Sequence, residues 1–233
     1  MQIKREDLTK EYSNIFFHFD FSQRMELEYD HKIYELTDHT QLPELIEHSK
    51  AKGDYQISKI ANNILAVYET EHQMETYSHT PVMIHMELSS FCDCECMMCK
   101  HCYEKNSDAQ YLSRDKFHEL KQYFAACRIV MINGYGEPFI HPQISEIISI
   151  FETYQVKIFT TTNLQHLPMD SLPKINKVFA RMNVSCDGAC AETYESIRRG
   201  ASFAKFIKNL TILRENCPDV QLFYVSRGYE TKY

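Results

Sequence analysis

The chain has 233 residues, with 25 Lys and Arg against 32 Asp and Glu, a formal net charge of −7 and 44% hydrophobic residues. The hydrophobic share suffices for one large domain or a core domain with a small appendage, and the acidic balance disfavours binding to nucleic-acid phosphates. The first twenty residues mix Lys4, Arg5, Glu6, Asp7 and Lys10 with aromatics and form no apolar signal segment, and no later run reads as long enough to cross a bilayer. The expectation is a cytoplasmic protein with no membrane partner.

In chain order, residues 1–80 show aromatic-rich alternation over 15–21 and 25–34, then helical patterning over 43–46 and 57–74, which predicts a small α+β appendage. Its stripe of Ile57, Ile60, Ile64 and Val67 is expected to pack against the domain that follows. His18, His31, His39 and His48 have no mutual metal-ligand spacing. From residue 82 onward, short apolar runs alternate with amphipathic helical patterns, which predicts an α/β core of parallel strands over 81–225, followed by a polar tail at 226–233. Strands are predicted at 82–88, 128–133, 156–160, 178–184 and 220–225. Helices are predicted at 113–126 with Ser113 as N-cap, from Pro142 through Phe151, and at 203–214 with Phe203, Phe206, Ile207, Leu210 and Leu213 on one stripe. Pro173 is expected to interrupt a weak helix over 170–177.

Nine cysteines are present, and five of them, Cys92, Cys94, Cys96, Cys99 and Cys102, crowd together after the first core strand. Crowding of this kind suits metal ligation in a reducing compartment better than a disulfide framework. Cys92, Cys96 and Cys99 form C-x3-C-x2-C. A [4Fe-4S] cube takes four ligands, so this trio predicts a cluster with one iron open to a ligand that is not protein. Spacing alone leaves zinc open as well, through Cys96 with Cys99 or Cys99 with Cys102. The distant second pair is missing, because Cys127, Cys186, Cys190 and Cys217 are scattered and His101 is a poor substitute. Those four cysteines read as buried small hydrophobes.

In parallel βα architectures the active site gathers at the carboxyl ends of the strands. The cysteine loop follows the first predicted core strand, Gly134-Tyr135-Gly136-Glu137-Pro138 the second, Thr161-Thr162-Asn163 the third, and Ser185-Cys186-Asp187-Gly188 the fourth. Taken singly, each of the last three is an ordinary turn or cap. Their joint placement predicts one site.

The cysteine spacing, with Glu87, Leu88 and Ser89 before it and Met98 ahead of the third cysteine, resembles the signature of the radical S-adenosylmethionine (SAM) superfamily over about 81–225. The 134–138 loop resembles that family's GGEP loop with Tyr135 in a glycine's place. Residues 194–203 resemble the branch that carries a C-terminal SPASM/twitch-type auxiliary cluster domain. The resemblance implies a partial (β/α) barrel and a [4Fe-4S] cluster on Cys92, Cys96 and Cys99. It also implies SAM on the open iron, cleaved reductively to a 5'-deoxyadenosyl radical that abstracts hydrogen from an unidentified substrate, with peptide or protein modification as the class. Met98, Gly134, Gly136, Glu137, Pro138, Thr162, Asn163, Ser185, Asp187 and Arg198 are the implied SAM contacts, with the Glu137 carboxylate facing the SAM ammonium and Arg198 the SAM carboxylate. A flavodoxin or ferredoxin-type partner would supply the electron. Only five strands precede the tail, so the expectation is a barrel short at its C-terminus, without the auxiliary domain, in a chain that ends early or has a separate C-terminal half. The alternative function is a truncated or split metal-binding module without turnover of its own.

Overall fold

A computed structural model describes residues 1–12, 18–103 and 109–225. The predicted alternation at 15–17 and the tail at 226–233 lie outside the described residues, as do the side chains of His101 and Cys102. Packing divides the chain into two compact units, one of Met1–Ile84 with Leu120–Ile129 and Tyr154–Val156, the other of His85–Glu119, Val130–Thr153 and Lys157–Tyr233.

The first unit contains strand β1 (Gln2–Ile3), helix α1 (Arg5–Glu11), strands β2 (Glu26–Tyr29) and β3 (Lys32–Glu35), and helices α2 (Leu42–Ala51) and α3 (Tyr55–Glu71). The strands form a sheet in the order β1-β2-β3, with β1 parallel and β3 antiparallel to β2. Asp30 and His31 turn the β2–β3 hairpin with positive φ at both positions, a conformation for which Asp is better suited than most residues. Asp54 caps α3 by accepting from the Ile57 amide and also holds Arg5 in a 2.6 Å ion pair. The α3 stripe of Ile57, Ile60 and Ile64 turns into this unit's own core with Leu8, Leu27, Tyr34, Leu42 and Leu45. Val67 is only half-buried.

The core sheet has five strands, β4 (Met83–Met86), β6 (Ile129–Ile132), β7 (Lys157–Thr162), β8 (Phe179–Ser185) and β10 (Gln221–Val225), in the order β10-β8-β7-β6-β4. Two short strands, β5 (Glu95–Cys96) and β9 (Arg198–Arg199), pair separately in an antiparallel ladder. The five main strands are parallel and each neighbours the next in sequence, the order of a partial barrel; a doubly wound sheet would reverse direction. The segments between them include helices α4 (Lys100–Tyr103), α5 (Arg114–Phe124), α6 (Ile144–Thr153), α7 (Leu172–Val178), α8 (Ala191–Ile197) and α9 (Phe203–Asn216). The α6 stripe of Ile144, Ile147, Ile148 and Phe151 is buried as its period requires. Ser202 caps α9 through the Lys205 amide. Two sequence expectations need revision. Pro173 does not break α7: it sits in the first turn, where its missing N–H costs no helical bond. Ile207 does not join the buried α9 stripe and is exposed.

The strands β7 and β8 alternate by face. Ile158, Thr160, Met182 and Val184 are buried, whereas Phe159, Thr161, Arg181 and Asn183 are half-buried on the opposite face. Truncating a fully buried side chain of the first set leaves a cavity that the sheet cannot close. Met182→Ala is expected to lower unfolding stability by about 2–5 kcal/mol, read from the shift of a urea melt.

Candidate active site

A cavity of about 450 Å³ opens at the carboxyl ends of the core strands, lined in part by Cys92, Cys96, Met98 and Cys99 from the cysteine loop. The loop after β6 adds Gly134, Gly136 and Glu137, the end of β7 adds Thr162 and Asn163, the end of β8 adds Ser185 and Asp187, and β9 adds Arg198. The topology thus brings together twelve of the thirteen residues singled out from sequence. Pro138 does not line the cavity: it opens a buried 3-10 turn, Pro138–Ile140, behind the loop. Asn133, Lys100, Tyr135 and Thr161 also line it. Asn133 directly precedes Gly134, and Thr161 directly precedes Thr162 at the end of β7, within the 161–163 segment already singled out.

The loop after β6 approaches the cysteine loop at backbone distance. A Cβ on Gly136 would collide with the carbonyl oxygens of Ser89 and Phe91, and one on Gly134 would collide with the Glu87 side chain. Glu87 accepts from the Tyr135 and Gly136 amides, and the Glu137 amide donates to the Phe91 carbonyl at 2.8 Å.

Glu137 is buried. Its Oε1 accepts from Thr162 Oγ1 at 2.7 Å and the Phe139 amide at 3.2 Å, and its Oε2 accepts from the Asn163 amide at 2.7 Å. The carboxylate therefore ties the β6 loop to the end of β7. Burial pushes its pKa up to about 7, against the pull of the three donors. Asn163 carries the link onward: its Nδ2 donates to Asp93 Oδ1 at 2.8 Å and lies 3.3 Å from Cys94 Sγ and 3.8 Å from Cys92 Sγ. Asp93 also pairs with His166 at 3.2 Å.

On the opposite side, the two-residue ladder of β5 with β9 places Cys96 directly across from Arg198. Arg198 Nη1 donates to Cys96 Sγ at 3.6 Å and Nη2 meets Asp187 Oδ2 at 2.6 Å, with the Arg198 and Asp187 side chains largely buried. Burial opposes the arginine's charge, but Cys96 and Asp187 outweigh it and hold its pKa above the ordinary value. The thiols divide accordingly. A hydrogen bond from Cys94, helped by Arg198, draws the Cys96 pKa down to about 7, and the Cys92 pKa is also lowered by Cys94. Cys94 itself is buried, does not line the cavity, and is pushed up by its hydrogen bonds to Cys92 and Cys96. The tightest cluster of possible ligand atoms among the described residues is Cys92, Asp93 and Cys94, all within 4.8 Å of one another.

Two buried polar atoms at this cavity have no protein partner, Asn133 Oδ1 and Arg198 Nε. A ligand carrying both a donor and an acceptor would satisfy them. The three cavity-facing thiols supply soft ligands for iron. These residues fit both a cluster and a zwitterionic cofactor.

A model described as the radical SAM superfamily matches residues 86–232. The chain belongs to the radical SAM superfamily. That family binds a [4Fe-4S] cluster and SAM. A curated relative, an AdoMet-dependent heme synthase of Methanosarcina barkeri, is 25% identical over 145 residues, which are 61% of this chain and 42% of the relative. Among solved structures, a native anSMEcpe with bound AdoMet superposes with a TM-score of 0.51 at 15% identity, over 62% of this chain and 43% of that one. Streptococcus suis SuiB bound to its precursor peptide SuiA superposes at 0.55 with 15% identity, over 86% of this chain and 53% of SuiB. The chain thus spans about two fifths to one half of the length of these radical SAM relatives. The SuiB superposition reaches further than residues 81–233 alone account for, so the fold likeness extends into the first unit. Of the four scattered cysteines expected to be buried small hydrophobes, Cys127 and Cys217 are buried, whereas Cys186 is half-buried and Cys190 is exposed, so the expectation is corrected for those two.

Two outcomes follow from this geometry. Gly136→Ala should destabilise the fold by about 1–3 kcal/mol, measured by urea unfolding, because the backbone on both sides leaves no room for a methyl group. For Glu137 the folded pKa is raised above the unfolded one, so the folded state holds the extra proton and stability falls as pH rises from about 4.5 to about 7. Paired pH series of unfolding free energy should show that fall in the wild type, worth up to about 3 kcal/mol, and its loss in Glu137→Gln.

Proposed function

We propose that this chain forms the core of a radical SAM enzyme that abstracts hydrogen from a peptide or protein substrate. The observation that carries the reading is the convergence of Cys92, Cys96 and Cys99 on one cavity with the β6 loop, Asn163, Ser185, Asp187 and Arg198. When bound, the cluster and SAM supply an electron and a sulfonium whose reductive cleavage provides the hydrogen-abstracting species.

The chain's own residues hold that chemistry in place. Cys92, Cys96 and Cys99 anchor the cluster, and Cys94 serves as a packed, protonated neighbour. The backbone at Gly134 to Gly136 gives close approach to the cofactor. Asn133 Oδ1 offers an acceptor to its amino group or ribose, and Arg198, steadied by Asp187, offers a donor to its carboxylate. Ser185 adds a hydroxyl at the β8 end. Glu137, with its carboxylate engaged by Thr162 and Asn163, would set the loop's position.

The peptide class is supported by the fold likeness to SuiB, a protein solved with a precursor peptide, and by the extension of that likeness into residues 1–80. An electron donor of the flavodoxin or ferredoxin type completes the reaction. The described cysteines are all free, and no described helix is long and apolar enough to cross a membrane, which support a reducing, cytoplasmic setting.

A second reading, a metal-binding module without turnover, is favoured by the convergence of Cys92, Asp93 and Cys94 within 4.8 Å. Ligand atoms that close together suit a single ion, whereas a cube binds each thiolate at a separate corner. One experiment separates the two. After anaerobic reconstitution with iron and sulfide and reduction by dithionite with SAM, 5'-deoxyadenosine should form in the wild type and in Cys94→Ala, and vanish in Cys99→Ala. Metal retention lost in Cys94→Ala but kept in Cys99→Ala, with no 5'-deoxyadenosine from the wild type, establishes the single-ion module instead.

A further inference from the structure

The face of the core sheet that carries the cavity continues below it as a layered surface. Residues Thr161 of β7, Asn183 of β8 and Phe223 of β10 lie side by side in register, and Arg181 pairs with Gln221 one layer further from the cavity. The Arg181 side chain does not stay in its own layer. Its Nε donates to Asn183 Oδ1 at 3.1 Å, and its guanidinium carbon stands 4.0 Å from the centre of the Phe223 ring. Phe223 is the partner of Asn183, so the guanidinium has climbed one layer toward the carboxyl ends of the strands, about 7 Å along them. Asn183 in turn donates from Nδ2 to Thr161 Oγ1 at 3.3 Å, and Thr161 lines the cavity.

This fixes the cation, which has no carboxylate partner among the described residues. Stacking on an aromatic face and a bond at Nε hold the plane of the guanidinium, while its two terminal amino groups keep the parallel fork that matches a carboxylate. No carboxylate lies within 4.0 Å of Arg181 among the described residues, in contrast to Arg5, Arg24, Arg114 and Arg198, which all form ion pairs. Phe223 is 43% exposed, so the surface beside the arginine is open.

We infer that Arg181 is the receptor for a substrate carboxylate, the acidic side chain of a peptide, held on the inner face of the barrel one layer beneath the cofactor cavity. The inference rests on the radical SAM reading and narrows its substrate class from peptide to acidic peptide. Asn183 and Phe223 are positioning residues for the guanidinium.

The test reads anion binding without turnover. The full chain is treated with phenylglyoxal, which modifies accessible guanidinium groups, and the adduct at Arg181 is followed by peptide mass spectrometry, with the exposed Arg24 as internal control. The probes are a doubly blocked Gly-Glu-Gly peptide, its Gly-Gln-Gly counterpart and inorganic phosphate. The expected result is ready labelling of Arg181, slowed about fivefold or more by the glutamate peptide alone, with Arg24 unaffected. Failure to label Arg181, equal slowing by the glutamine peptide, slowing by phosphate alone, or no slowing would each overturn the proposal. Labelling does not depend on SAM cleavage, so loss of this result and loss of 5'-deoxyadenosine formation are separate findings.

Discussion

The buried carboxylate of Glu137 is the interaction on which the candidate site depends. Its two oxygens bind the 3-10 turn of its own loop and the side chain and backbone at the end of β7, while its amide holds Phe91 in the cysteine loop. Three segments far apart in sequence thus meet at one residue. The cost of burying this acid is visible in its raised pKa, and three donors offset part of that cost. Replacing its network with apolar side chains would leave the Phe139 and Asn163 amides without an acceptor, so the site's geometry and the loop's hydrogen bonding are one problem with one solution.

Around this bracket the cavity is asymmetric. On the Asn163 side, an amide reaches Asp93 and the sulfurs of Cys92 and Cys94; on the β9 side, a buried arginine shared between Cys96 and Asp187 faces the same loop. One side holds the Asp93 carboxylate between Asn163 and His166, the other a buried arginine paired with Asp187. The unpartnered Asn133 Oδ1 and Arg198 Nε would orient a ligand that carries a donor and an acceptor.

Much of this was legible in the sequence because local chemistry and strand period carry it. Glycines flanking Tyr135 signal close backbone approach, C-x3-C-x2-C signals a partly open cluster, and the alternation of apolar runs with helical stripes places every motif at one edge of the sheet. The parts that were not legible involve pairings with no local trace. The ladder of Cys96 with Arg198 joins residues 102 positions apart through only two residue pairs, too short for any periodicity. Pro173 misled because position within a helix decides whether proline breaks or starts it. Glu137 was readable as a cavity residue but not as a bracket, because its partners Thr162 and Asn163 are brought to it only by the closure of β7 beside β6.

The β5–β9 ladder also governs how the molecule fails. All three cavity cysteines lie on a loop whose described residues include two residues of strand and a short helix, and a ladder so short contributes little resistance to local opening. Ligation by three thiolates at once would stitch that loop shut far more firmly than its own backbone does. Loss of a cluster would remove that stitching and leave the Cys96 segment held by the two-residue ladder and the Arg198 contact. Were the three thiolates to hold a cluster, the loop that oxygen attacks would also be the one whose shape leans on that cluster.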